Sequence, residues 1–219
     1  MLSLLIFGPE IVNATNSVRK LGVMMDSILN MEDHVTSVCR SCYFHLRNIG
    51  TIRRYLDPES AAQIIHAFVT SRLDYCNALF HGIPQKLMYL LTKIQNTAVR
   101  IITLCKSQDN ITPFLKTLHW LPFPLRIKFK LLLLCYKIMN NLAPSYLSDL
   151  LTPLELPHDL RSISNGNLKV PRSRTVSYGD RAFSVAAPQL WNELPLDIRN
   201  ASSLSLFKTK LKTHLFEEF

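Results

Sequence analysis

Apolar residues fall at three- and four-residue steps along most of 31–151, and that spacing puts them on one face of successive helices. Val35, Val38, Cys42, Leu46 and Ile49 mark one such face, and Leu87, Leu90, Leu91, Ile94, Ala98 and Ile101 mark another. Between them, Asp57-Pro58-Glu59 has the form of a helix start. The Asp can accept from freed N–H groups, the Pro has no N–H to lose, and the Glu meets the positive end of the dipole. This helix is expected to run over 57–80, with Ile64, Ile65, Phe68, Val69, Leu73 and Cys76 inward and Gly82 placed to stop it. Pro84 opens the next helix. A shorter one is expected at 111–118, another at 124–142, and a brief one at 144–151. The centre of 124–142 is apolar nearly all round, which predicts the most buried helix.

The two ends read differently. Segments 2–7 and 18–25 have the composition of strands, with a turn at Gly8-Pro9. Two strands alone are marginal in water, so they must lie against other structure. Composition shifts near Thr152, where Pro153, Pro157 and the polar run SISNGN at 162–167 suggest a linker or exposed loop. A late hairpin of 168–171 with 173–178 is expected next, followed by helices over 181–194 and 204–216. The sequence thus predicts a mainly α chain in three parts: a β element over 1–30, a helical body over 31–151, and a Pro-containing linker with a mixed segment over 152–219.

Composition narrows the classes. A chain of 219 residues can bury a substantial core, while only 6 Gly argue against a turn-rich β sandwich or a Gly-rich phosphate loop. The net charge of +9 favours an anionic partner, nucleic acid before a membrane surface. Five scattered cysteines suit buried thiols in a reducing, intracellular compartment better than a disulfide framework. The apolar start at 1–7 lacks a basic flank and stops at Gly8-Pro9-Glu10, and 131–136 is far below the roughly 20 residues of a membrane span. No membrane partner is expected.

Catalytic patterns are not found. Two-metal polymerase chemistry needs paired carboxylates. Asp74-Tyr75 supplies one Asp, Glu32-Asp33 point about 100° apart on a helix and suit its dipole, and Glu217-Glu218 form a tail. Cys39-x-x-Cys42-x-x-His45 raises zinc, but it has no fourth ligand and reads as packing. No Gly-x-Ser-x-Gly elbow or phosphate loop is present, and no cofactor is implied.

Cations offer more. Lys86, Lys93 and Arg100 recur every seven residues and would line one ridge about 21 Å long, opposite the Leu and Ile stripe. Such a ridge suits a phosphate backbone, and a plain solvated helix face explains it equally well. A second group is Arg126, Lys128 and Lys130. A third is Lys169, Arg172, Arg174 and Arg181, interleaved with Tyr178 and Phe183.

Three strings carry a family likeness: SRLDYCN at 71–77, LHWLP at 118–122 and LWNELP at 190–195. With LLIFGP at 4–9, VRKLGV at 18–23 and Asp26, FHLRNI at 44–49, HAFVT at 66–70, IQN at 94–96, APSYL at 143–147, LRS at 160–162, GDRAFS at 179–184 and LFK at 206–208, they follow one order along nearly the whole chain. This order resembles the region downstream of the catalytic palm in LINE-type, non-LTR retrotransposon reverse transcriptases. The resemblance implies a helical thumb-like body after a remnant of the palm, able to hold RNA or an RNA–DNA duplex. The palm's paired aspartates would precede the matched region, so no catalytic role carries over to any residue here. A non-catalytic fragment or remnant is therefore expected. The alternatives are a helical interaction or self-associating module that uses surface left by a missing palm, and a truncated gene model of an active RNA-directed DNA polymerase.

Overall fold

The computed structural model describes residues 5–7, 10–12, 15–154, 166–175 and 178–219, with the first two short stretches described by their backbone only. The expected turn at Gly8-Pro9, LRS at 160–162 and most of the expected linker lie outside the described residues. Two antiparallel hairpins open the chain. Strand β1 (Leu5–Phe7) pairs with β2 (Glu10–Val12), with Ile6 opposite Ile11. Strand β3 (Ser17–Lys20) pairs with β4 (Val23–Asp26). Segment 18–25 is thus a hairpin and not one strand. Leu21 and Gly22 both have positive φ, the twist a two-residue hairpin turn needs.

Asp26 then turns the chain into the helices. Its carboxylate accepts the N–H groups of Met31 (2.8 Å), Asn30 (2.9 Å) and Ile28 (3.1 Å). Partial burial pushes this carboxyl up, but these hydrogen bonds outweigh it and hold it below the usual range.

Helix α1 (Glu32–Ile52) buries Val35, Val38, Cys42, Leu46 and Ile49, the face its spacing predicts. Helix α2 (Pro58–Ile65) begins as its sequence requires: Asp57 accepts from the Ser60 N–H at 2.9 Å, with Pro58 in the first turn. It does not continue to Phe80. A π turn over His66–Thr70 inserts an extra residue, α3 (Ser71–Asp74) follows, and Cys76 at φ 51 breaks the helix ahead of a 3-10 turn over Asn77–Phe80. An added residue rotates the following face by about 100°. Phe68 and Cys76, expected inside, are accordingly exposed, while Ile65, Val69 and Leu73 are buried.

Helix α4 (Gln85–Thr103) packs along α1. Its C-terminal carbonyls are satisfied by Arg53, which is buried and donates from Nε to Ile101 O and from Nη2 to Ile102 O, both at 2.7 Å. Helix α5 (Thr112–Thr117) closes in a left-handed turn. His119 N–H donates to Lys116 O at 3.0 Å and Trp120 N–H to Leu115 O at 2.9 Å, with His119 at φ 53 in the position glycine usually fills.

Helix α6 (Phe123–Met139) is the hub, with only Pro124 and Lys130 exposed along its length. One side joins the core of α1 and α4 through Phe123, Ile127 and Leu131. The other holds Leu132, Cys135, Tyr136 and Ile138 in a second core. A single turn, α7 (Ser145–Ser148), follows. Helices α8 (Phe183–Glu193) and α10 (Leu204–Glu217) pack on α6, with the short α9 (Leu196–Arg199) between them. Phe207 stacks on Tyr136 at 4.2 Å between ring centres, and the Tyr136 hydroxyl donates to Ala201 O at 2.8 Å. The fold is mainly helical with a small N-terminal β element.

The late hairpin is not formed among the described residues. Leu168 bridges antiparallel to Pro153 instead, and Asn192 closes on its backbone from the other side, accepting from Leu168 N and donating to Leu168 O, each at 2.8 Å. Downstream, Thr175 O accepts the N–H groups of Gly179 and Asp180.

Candidate nucleic-acid interface

The α4 face is built by its sequence. The buried stripe of Leu87, Leu91, Ile94, Ala98 and Ile102 leaves the opposite side to solvent, where Lys86 and Lys93 stand exposed. Neither has an ion-pair partner among the described residues. Tyr89 lies three residues after Lys86 and four before Lys93, so the helix sets its ring between the two ammonium groups along the axis. It is 63% exposed. Spacing alone passed over Tyr89; an aromatic flanked by lysines at i−3 and i+4 was the available signal. Thr97, one turn after Lys93, bonds its own helix through Lys93 O at 2.8 Å.

Helix α4 contains no acidic residue. Over 75–148 the chain holds nine Lys or Arg and one acid, Asp109. An anion approaching α4 therefore meets no repulsion from the helix's own side chains.

Several expected cations are occupied. Arg100, the third member of the ridge, reaches forward and donates to Ser107 O (3.1 Å) and Lys106 O (3.4 Å), closing the loop after α4. Arg126 is half-buried and pairs with Asp74. Lys128 is drawn to Glu218 at 2.8 Å. Arg181 donates from Nε to His81 O and from Nη1 to Leu29 O, both at 3.0 Å, joining three distant parts of the chain. Its stem lies where a Cβ on Gly82 would come within 2.5 Å, so Gly82 serves this crossing as well as its own positive φ. Lys130, Lys169, Arg172 and Arg174 are exposed without ion-pair partners among the described residues.

Two of the three strings meet. Asp74 and Asn77 of the first and His119, Trp120 and Leu121 of the second line one cleft of about 400 Å³, with Arg126, Lys130 and Lys212 around it. Burial raises the Asp74 carboxyl, against the pull of Arg126, His66 and Lys130, and burial likewise lowers the Arg126 guanidinium against Asp74. Desolvation thus exceeds attraction on both sides of the pair. Tyr75 of the first string donates from its hydroxyl to Leu21 O at 2.6 Å and pins the β3–β4 turn. The third string works elsewhere, where Trp191 Nε1 donates to Gly166 O at 2.9 Å beside the Asn192 clamp.

The cysteine–histidine run separates into packing roles. Cys42 is buried, and that burial pushes its thiol up to about 12. His45 stacks on Phe68 with ring centres 5.1 Å apart. Burial also pushes the Cys135 thiol to about 12, so neither buried thiol offers a thiolate at neutral pH. Among the described residues no group of three or more His, Cys, Asp or Glu is placed to hold a metal ion, and no helix is long and apolar enough to cross a membrane. No family model matches the chain, and neither a curated protein nor a solved structure matches it.

Proposed function

We propose that this chain is a thumb-like module related to LINE-type reverse transcriptases, non-catalytic by itself, that binds RNA or an RNA–DNA duplex through its phosphates. The observation that carries this reading is the α4 face: Lys86 and Lys93 free of ion pairs among the described residues, Tyr89 exposed between them, and no acid on the helix. Ammonium groups on a ridge suit a regularly spaced backbone of negative charge, and an exposed aromatic adds contact with sugar or base without demanding sequence. The likeness of the three strings supports the choice of nucleic acid over other polyanions. The test is anisotropy of a labelled RNA–DNA duplex titrated with the protein across salt concentrations. Binding that weakens steadily with salt is expected; no binding at low salt, or affinity indifferent to salt, contradicts the proposal.

A second reading, self-association, is favoured by one observation. An apolar groove of about 510 Å³ runs between the β4–α1 connection and α6, lined by Leu29, Leu79, Leu134, Leu150 and Phe183. A concentration-dependent sedimentation coefficient, abolished by Leu79→Asp, would support it.

A further inference from the structure

The cleft between α3, the α5–α6 turn and α10 is separate from the α4 face and differs from it in kind. It is concave, and its volume lies within the range of small-molecule sites. Asp74 and Asn77 supply acceptors in it, beside the Arg126 guanidinium that Asp74 pairs. Asp74 presents a carboxylate with more lone-pair positions than Arg126 and Asn77 occupy. Asn77 is 4% exposed, donates its amide N–H toward Asp74 at 3.4 Å, and leaves its Oδ1 with no hydrogen-bond partner. An unpaired buried acceptor is costly, and a ligand donor that reached it would recover that loss. The wall is aromatic: Trp120 is half-buried, with the His66 ring 5.7 Å away on one side. Lys130 and Lys212, both exposed and without ion-pair partners among the described residues, stand at the rim. His119, the left-handed residue that closes α5, stands beside them.

Acceptors beside a paired guanidinium, an aromatic wall and two exposed lysines suit a nucleotide. Among the bases, guanine alone places two donors, N1–H and the N2 amino group, side by side on its pairing edge, and acceptor groups match that edge best. We propose that this cleft binds a guanine nucleotide, with the base edge on Asp74 and Asn77, the ring against Trp120, and the phosphate on Lys130 and Lys212. The chemistry is shared by free GMP and by a guanine at the end of a strand.

The test uses the full chain and the probes GMP, AMP and inorganic phosphate. Trp120 and Trp191 are the only tryptophans, and Trp191 is buried. GMP is expected to change the fluorescence, and Trp120→Phe is expected to remove that change. Saturation-transfer NMR should show base protons of GMP in contact with the protein, at least about fivefold tighter than AMP, since one lost hydrogen bond is worth roughly 1 kcal/mol. Lys130→Ala with Lys212→Ala should weaken GMP by about tenfold, while Lys86→Ala with Lys93→Ala leaves it unchanged. Competition from an oligonucleotide ending in guanosine assigns the strand as source, and its failure assigns the free nucleotide. Equal affinity for GMP, AMP and phosphate, or no GMP contact at millimolar concentration, overturns the proposal. The outcome is independent of the α4 face, because the lysines that serve each site are different.

Discussion

Arg126 on α6 is bonded to Asp74 on α3, fifty-two positions earlier in the chain, and each carries the mark of desolvation. The pair joins the first string to the central helix, and it removes Arg126 from any role as a free phosphate contact. Asp74→Ala should destabilise by about 1–3 kcal/mol in urea unfolding, because it leaves a half-buried guanidinium without its partner. Replacing both, Asp74→Leu with Arg126→Met, should recover most of that loss, as buried pairs contribute little beyond an apolar pair of like volume. A double mutant as unstable as Asp74→Ala would contradict this account.

Arg53 was not singled out by any sequence pattern, yet it caps the C-terminus of α4 through the carbonyls of Ile101 and Ile102 and also bonds Leu56 O. Arg53→Ala should cost about 1.5–3 kcal/mol, the range of hydrogen bonds to charged groups. Arg53→Lys should rescue little, since one ammonium cannot reproduce the planar fork. Thermal unfolding of the two variants side by side measures it.

His119 fills a glycine position at φ 53. His119→Gly should leave stability unchanged or raise it by up to about 1 kcal/mol, the usual cost of a side chain in that region. A clear loss of stability would mean that the imidazole packs more than its exposure implies.

Two histidines predict a pH dependence. Burial, with Arg19 nearby, lowers His34 below its usual 6.5. Burial, with Arg181 nearby, lowers His81 in the same way. His34 lies stacked on Phe80 at 5.6 Å, and its Nδ1 accepts the Met24 N–H at 3.4 Å, a role open to the neutral ring. As pH falls below 6.5 the unfolded chain takes up these protons first, so stability present above 6.5 is lost on acidification. His34→Phe should flatten the curve of unfolding midpoint against pH below 6.5. An unchanged curve would assign the effect to other groups.

The helical faces of α1 and α4 were legible because their apolar spacing is uninterrupted, and the start of α2 because Asp57 and Pro58 act locally. The π turn at His66–Thr70 was not, since an inserted residue is set by how Val69 and Thr70 must pack and leaves no compositional trace. Leu21-Gly22 hid the β3–β4 turn, because leucine at positive φ is not a turn signal. Of the cations, spacing located Lys86 and Lys93 on one exposed face, but it could not show that Arg100, Arg126, Lys128 and Arg181 meet partners from 6 to 152 positions away. Such pairings depend on tertiary folding, which brings together residues no local pattern connects.

If α4 meets nucleic-acid phosphates, reversing the charge of its two exposed lysines should weaken binding. Binding of an RNA–DNA duplex should be measured for Lys86→Glu with Lys93→Glu, against a control with Lys169→Glu and Arg172→Glu, across a salt series. Reversal on α4 should abolish binding at moderate salt and cut the slope of log affinity against log salt by roughly 2, about one per lysine lost, while the control keeps most of its affinity. Equal losses in both pairs would reduce the effect to net charge, and an unchanged slope in the α4 pair would contradict the account.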